Sequence, residues 1–466
     1  MVDIQDWQEI TIGNDTTLKA RIGWQGLTTG EYKSSGEYFL VTGTDFKNGL
    51  VNWDTCHYVD KWRFEQDKNI QLKVNDVLIT KDGTIGKAGF IDTIKLPTTL
   101  NSGVFVIRTN SEKLDQKYLY YIFTSEIFDE FLNRLTAGST INHLYQKDFV
   151  HFTFKAPKIE EQKAIAKALS DTDELIITLE KLISKKEAIK QGTMQQLLSG
   201  KKRLSGFSGE WKEKRLGDII LKFQNGYAFN AKGYAKEGIP IVTMAQIGLD
   251  GTFKFDLNKV NYWKQEKSNN LTDFYLKNGD VIIAMTDVTP EKNLIGRMTI
   301  VNTTITCLLN QRVGHLILDT TQIDSLFLTT LSNMKKWRAF SIGIASLGVQ
   351  ANIGTKDILN GLIKLPSIEE QQTIAQILSD MDKEIETLKL KLTKTKAIKD
   401  GIMSELLTGK TRLKVKYKKN SMDKTMLSQT IKTTQAIEGY KISDDKIIEK
   451  VKGLRGKYGI KVSTKR

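Results

Sequence analysis

The chain has 466 residues, of which 40% are apolar and 26% charged, with a formal net charge of +15 and a mean hydropathy of −0.32. At roughly 150 residues per domain this is room for about three units with real cores. No apolar run approaches the ~20 residues of a membrane span, and residues 1–10 (MVDIQDWQEI) are acidic and lack a signal-peptide core, so a cytoplasmic protein is expected. Residues 414–466 hold 15 Lys plus Arg against 5 Asp plus Glu, so the tail carries +10 and residues 1–413 only +5. Bulk charge is therefore a weak argument for nucleic-acid binding, because a Lys-rich tail is commonly a solvated appendage. Cys56 and Cys307 lack C-x-x-C spacing and lie in different halves, which argues against a metal site or disulfide framework and for two small buried residues.

In chain order, residues 7–13 (WQEITIG) start with a strand-like segment. Residues 72–80 (LKVNDVLIT) read as a turn feeding a buried strand, and a glycine-bearing loop closed by Ile85-Gly86-Lys87 follows. Lys147-Asp148-Phe149 then precedes a long segment, residues 157–204, which opens PKIEEQKAIA and ends LLSGKKRL. The same order returns: residues 211–217 (WKEKRLG), residues 276–284 (LKNGDVIIA), Ile295-Gly296-Arg297, Lys356-Asp357-Ile358 and a second long segment, residues 366–413. The two long segments align without a gap at an offset of 209. The chain is an internal duplication of an α/β domain followed by a helix.

Each long segment is written as one helix. Proline opens it, a Glu-Glu pair occupies the first turn where the helix dipole favours anions, and Gly200 or Gly409 closes it. In the second copy Ile374, Leu378, Met381, Ile385, Leu388 and Leu392 step by 4 and 3 residues alternately, the spacing of a coiled-coil seam; Ile165, Leu169, Thr172, Ile176, Leu179 and Ile183 repeat it in the first. A seam this narrow needs a partner. Two matched copies favour the helices packing on each other, antiparallel if the halves are related by a pseudo-twofold axis. The alternative is two surface helices, each laid on its own domain.

Between the matched segments the halves differ. Residues 53–64 (WDTCHYVDKWRF) have no close counterpart, and residues 253–263 (FKFDLNKVNYW) stand in their place. A common frame with private loops suits two DNA readers of different specificity, since side chains that reach base edges read sequence and the frame only positions them. Ordinary loop divergence explains the same feature equally well. The candidate DNA contacts are Lys81, Asp82, Thr84 and Lys87 in the first glycine loop, and Thr286, Asp287, Lys292 and Arg297 in the second. Thr44, Lys47, Ser139, Thr140, Asn142, Gln246, Gln350 and Asn352 form a second rank in loops of similar composition, with plain turn chemistry as the alternative.

Catalytic motifs do not emerge. The prolines at 97, 157, 240, 290 and 366 are never adjacent, which removes the Asn/Asp-Pro-Pro-aromatic motif of amino-methyltransferases. Gly409-Lys410-Thr411 ends a helix and has Ser404 where a phosphate-binding loop needs its first glycine. The histidines at 57, 143, 151 and 315 have no metal-ligand spacing.

Two variable domains, each followed by a helix opening P-x-I-E-E-Q-x-x-I-A and ending L-L-[ST]-G-K, resemble the specificity subunit of type I restriction-modification enzymes. The resemblance covers residues 1 to about 413. It implies an α/β (α+β) fold with target recognition domains at 1–156 and 205–365, helices at 157–204 and 366–413 pairing as an antiparallel coiled coil, and a basic tail at 414–466 that departs from the family. It further implies that each domain reads half of a split double-stranded DNA target while the helices set the gap and dock two modification subunits. Restriction subunits join that core. This chain is then noncatalytic and holds no cofactor, with S-adenosylmethionine, ATP and Mg²⁺ belonging to its partners. The alternatives are a self-contained nuclease or methyltransferase with a cryptic site, and a coiled-coil scaffold joining two protein-binding domains.

Overall fold

The structure, a computed structural model, describes residues 6–136, 143–264, 270–346 and 351–413. Both halves build the same mixed α/β frame. In the first, strand Gln8–Thr11 pairs antiparallel with Thr153–Ala156, and in the second Lys212–Arg215 pairs with Leu362–Leu365. The opening strand of each domain is thus tied to the strand that feeds the long helix. The apolar runs read as buried strands, Val77–Thr80 and Val281–Ala284, lie inside sheets, paired antiparallel on both sides, with all four residues buried. Val77–Thr80 runs between Val104–Thr109 and Ala88–Phe90, and Val281–Ala284 runs between Val313–Leu318 and Met298–Ile300.

A second layer repeats as well. Tyr38–Val41 is parallel to Thr98–Leu100 and flanked by His57–Val59; Ile239–Val242 is parallel to Cys307–Leu309 and flanked by Tyr262–Trp263. Residues 53–64 and 253–263, which share no sequence, therefore supply the same strand. Backbone hydrogen bonding sets the frame and leaves the side chains free to differ. Cys56 and Cys307 are both buried.

The long helices are Ile159–Leu197 and Ile368–Leu407, of 39 and 40 residues. Their shared openings have a purpose. Gln162 is fully buried; it donates to the carbonyls of Pro157 (2.8 Å) and Lys113 (2.7 Å) and accepts from the Asp115 amide (2.9 Å). Gln371 repeats the pattern with Pro366, Gln322 and Asp324. The closing glycines Gly200 and Gly409 sit at φ 68° and 73°, the left-handed conformation that terminates helices.

Compactness does not follow chain order. One unit takes the chain through Lys181 and resumes at Lys389, and the other runs Leu182–Leu388. Within the first unit, Asp173 pairs with Lys399 (2.7 Å) and Glu180 with Lys396 (2.8 Å). Within the second, Lys186 pairs with Glu384 (2.5 Å) and Lys190 with Asp382. In both units rising numbers on one helix meet falling numbers on the other, so the segments are antiparallel. Ile176, Leu179, Ile183 and Ile385 are buried on this seam, while Thr172, Met381, Leu388 and Leu392 are partly exposed.

The ends of the seam belong to the domain cores. Ile165 and Leu169 join the first domain's core, and Ile374 and Leu378 the second's. Each core also receives the end of the other helix: Met403, Leu406 and Leu407 in the first, Met194, Leu197 and Leu198 in the second. A buried leucine of this kind contributes about 1.5–3 kcal/mol.

Candidate nucleic-acid interface

In the first domain the strand Val77–Thr80 ends in a tight loop. The Gly86 amide donates to the Thr80 carbonyl (2.8 Å), the Lys87 amide to the Thr80 hydroxyl (2.9 Å), and that hydroxyl to the Thr84 carbonyl. Gly83 and Gly86 take φ of 70° and 79°, and a Cβ at Gly86 would lie 2.2 Å from Leu132, so this loop needs glycine there. Lys81 is held at both backbone ends, donating to the Gly103 carbonyl (2.9 Å) and accepting from the Leu144 amide (2.8 Å). Its half-buried ammonium lies 5.4 Å from the Phe105 ring centre, and burial lowers its pKa.

Asp82 is exposed and hydrogen-bonded to His143 Nδ1. Thr84 and Lys87 are exposed too, and the Lys87 ammonium reaches the Phe46 carbonyl (2.7 Å), which brings the segment with exposed Thr44 and Lys47 to the loop. Four sequence candidates therefore share one loop and two more lie beside it. Ser139, Thr140, Asn142 and Gln350, with the 414–466 tail, fall outside the described residues.

The second domain builds the same loop with different chemistry. Thr286–Asp287 pairs antiparallel with Ala351–Asn352, and the Thr286 hydroxyl donates to the Asn352 side chain (2.8 Å). This bridge occupies the place of Asp82–His143. Asp287 is only 3% exposed and accepts from the amides of Thr289 (2.8 Å) and Leu294 (2.6 Å). Burial opposes its ionisation, but these hydrogen bonds outweigh it and hold the carboxyl below the ordinary 3.8. Arg297 donates to the Asn293 carbonyl (2.6 Å) and to Asn333, and burial lowers its pKa.

Gln246 is buried and caps its own turn through the Thr243 amide (2.8 Å). Thr286, Asp287, Arg297 and Gln246 thus use their polar groups on the scaffold. Lys292 and Asn352 keep surface exposure, Lys292 with its backbone at φ 51°.

Two features escaped the sequence reading. Arg338 is 9% exposed and braces the second loop from beneath, donating to the carbonyls of Lys292 (2.9 Å), Asn293 (3.0 Å) and Ile295, while the Trp337 indole donates to Gly296 (2.7 Å). Burial, then the neighbouring Arg297, push its pKa down to about 10. The other is a turn beside each loop, Leu100-Asn101-Ser102-Gly103-Val104 and Leu309-Asn310-Gln311-Arg312-Val313. It repeats as L-N-x-x-V at the same 209 offset, a signal present in the sequence.

Among the described residues no three His, Cys, Asp or Glu side chains group as metal ligands, and no helix is long and apolar enough to cross a membrane. The side chains that the loops leave exposed, among them Thr44, Lys47, Asp82, Thr84, Lys87 and Asn352, are polar or charged, the kind that meets phosphates and base edges.

The family described as type I restriction modification DNA specificity domain matches twice, at residues 6–191 and 208–395. The chain is similar to the type I restriction enzyme MjaVIII specificity subunit of Methanocaldococcus jannaschii, 26% identical over 427 residues, which cover 88% of this chain and 94% of that protein. It is similar also to the type I restriction enzyme StySPI specificity subunit of Salmonella potsdam, 21% identical over 435 residues, 87% of this chain and 89% of the relative. The fold agrees with the crystal structure of a type I restriction-modification S subunit from M. genitalium, at a TM-score of 0.54 and 18% identity, with coverage of 87% and 96%. The two family matches span both halves of the duplication, and the chain belongs to the type I restriction-modification DNA specificity family.

Proposed function

We propose that this chain is the DNA-reading subunit of a type I restriction-modification complex, each domain recognising one half of a bipartite target. The observation that carries the reading is the double family match laid over two domains whose backbone frames agree while their loop side chains differ. The glycine loops and their flanking turns meet the bases, and the paired helices set the gap and dock two modification subunits. Restriction subunits join that assembly in the cytoplasm. The chain itself catalyses nothing; S-adenosylmethionine, ATP and Mg²⁺ enter with the partners. Footprinting the assembled chain and modification subunits on its target tests this, with two short protected patches expected on either side of an unprotected gap. Turnover by the purified chain alone with DNA, Mg²⁺ and S-adenosylmethionine would overturn it in favour of a self-contained enzyme.

A further inference from the structure

We infer that Arg312 reads a base in the second domain, with its guanidinium on the major-groove edge of a guanine. The inference rests on the DNA-reading function proposed above and deepens it to one residue.

Arg312 lies in the turn between strands Cys307–Leu309 and Val313–Leu318. Its amide donates to the Asn310 side-chain oxygen (3.3 Å), and its carbonyl accepts from Met285 (3.1 Å), the residue that enters the second loop. The turn is pinned further by Asn310 N to Val242 O (3.0 Å) and Gln311 N to Tyr227 O (2.9 Å). The backbone is therefore fixed to three segments, whereas the side chain is exposed and makes no hydrogen bond or ion pair among the described residues. A free guanidinium on a rigid support loses little freedom when it binds, and its planar fork matches guanine O6 and N7.

The first domain shows why a base is the better target than a phosphate. Its turn makes the same bonds, Gly103 N to Asn101 Oδ1 (2.8 Å), Lys81 N to Gly103 O (2.9 Å) and Asn101 N to Val41 O (2.9 Å), yet carries glycine where Arg312 stands. Phosphates are the same everywhere along DNA, so a phosphate contact belongs to the frame that both copies share. A side chain present in one copy only, at a position where the frames coincide, has the character of a specificity residue.

The test uses Arg312→Ala and Arg312→Lys in the full chain, assembled with its modification subunits, and reads the methylome of cells carrying each. Both variants are expected to co-purify with the partners. Both should lose preference at a single G·C position in one half of the target, by roughly ten- to a hundredfold, with the other half unchanged, because lysine keeps the charge but not the fork. Unchanged base preferences in Arg312→Ala would overturn the inference. So would uniform weakening at all sites that Arg312→Lys restores, the mark of a phosphate contact. A wild-type methylome without any bipartite motif would instead overturn the proposed function itself.

Discussion

The exchange of helix ends between cores makes a demand that linear domain order does not. Leu407 is 1% exposed and belongs to the first domain's core, although about 250 residues separate it from that domain in the chain. Leu407→Ala removes a fully buried isobutyl group and leaves a cavity, a change that costs about 2.7–5 kcal/mol in well-packed cores. Leu407 ends its helix and the last turn can settle inward, so the lower part of that range, about 3 kcal/mol, is the expectation. At roughly 2–4 °C per kcal/mol for a unit of this size, the first unit should melt about 6–12 °C lower. Leu390, on the same helix but 56% exposed, is the control, and its alanine variant should stay within about 0.5 kcal/mol of wild type. Calorimetry of the whole chain gives the shift, and hydrogen exchange locates it: protection should fall in helix Gln116–Phe123, whose residues share the core with Leu407. A loss under 1 kcal/mol, or exchange changes confined to residues 205–365, would show that Leu407 does not support the first domain's core.

Three further outcomes follow from the same structure. Ile385→Asp puts a carboxylate on a seam position that is 6% exposed, at a cost of several kcal/mol, so co-purification with modification subunits should be lost while circular dichroism still reports folded domains. Asp287 has a folded pKa below 3.8, so its ionised form contributes stability above pH 3.8 that drains away as pH falls through the lower folded value. The stability gap between wild type and Asp287→Asn should therefore shrink on acidification below about pH 4, and melting curves in which the gap is independent of pH would contradict this. Four residues added after Lys181 and four after Leu388 leave the ion pairs inside each unit in register and lengthen each helix by ~6 Å. The preferred gap should grow by roughly two base pairs at 3.4 Å each with both half-sites unaltered, as read by methylome sequencing.

What the sequence revealed and what it hid divide along physical lines. The helices, their caps and the seam were legible because period and end signals are local: Ile176, Ile183 and Ile385 are buried as the spacing requires. The matched strands were legible through the duplication, but the strand that residues 53–64 and 253–263 each supply was not, because those stretches share no sequence and read as private loops. The latch at the helix ends was not. Arg412 holds buried Glu161 (2.8 Å) together with Asp6 (2.8 Å), and Arg203 holds Glu370 (2.6 Å), across 251 and 167 residues of chain. The Glu-Glu pair looked like a helix-dipole feature, and only folding brings the arginines to it.

The candidate contacts were harder to sort, because Asp, Thr and Gln in a loop look alike whether they face DNA or cap their own backbone. Asp287 and Gln246 turn inward, while Asp82 and Lys87 stay at the surface. Arg312 was within reach, since L-N-x-x-V recurs at the known offset. Its significance comes from the backbone bonds that make it equivalent to Gly103.

Whether one chain reads two separate half-sites is decided by methylome sequencing of cells that express the chain with its modification subunits, compared with cells lacking the chain. Methylation is expected at a single motif made of two short defined halves around a gap of fixed length and free sequence. A continuous motif, a single half-site, or methylation that persists without the chain would contradict it.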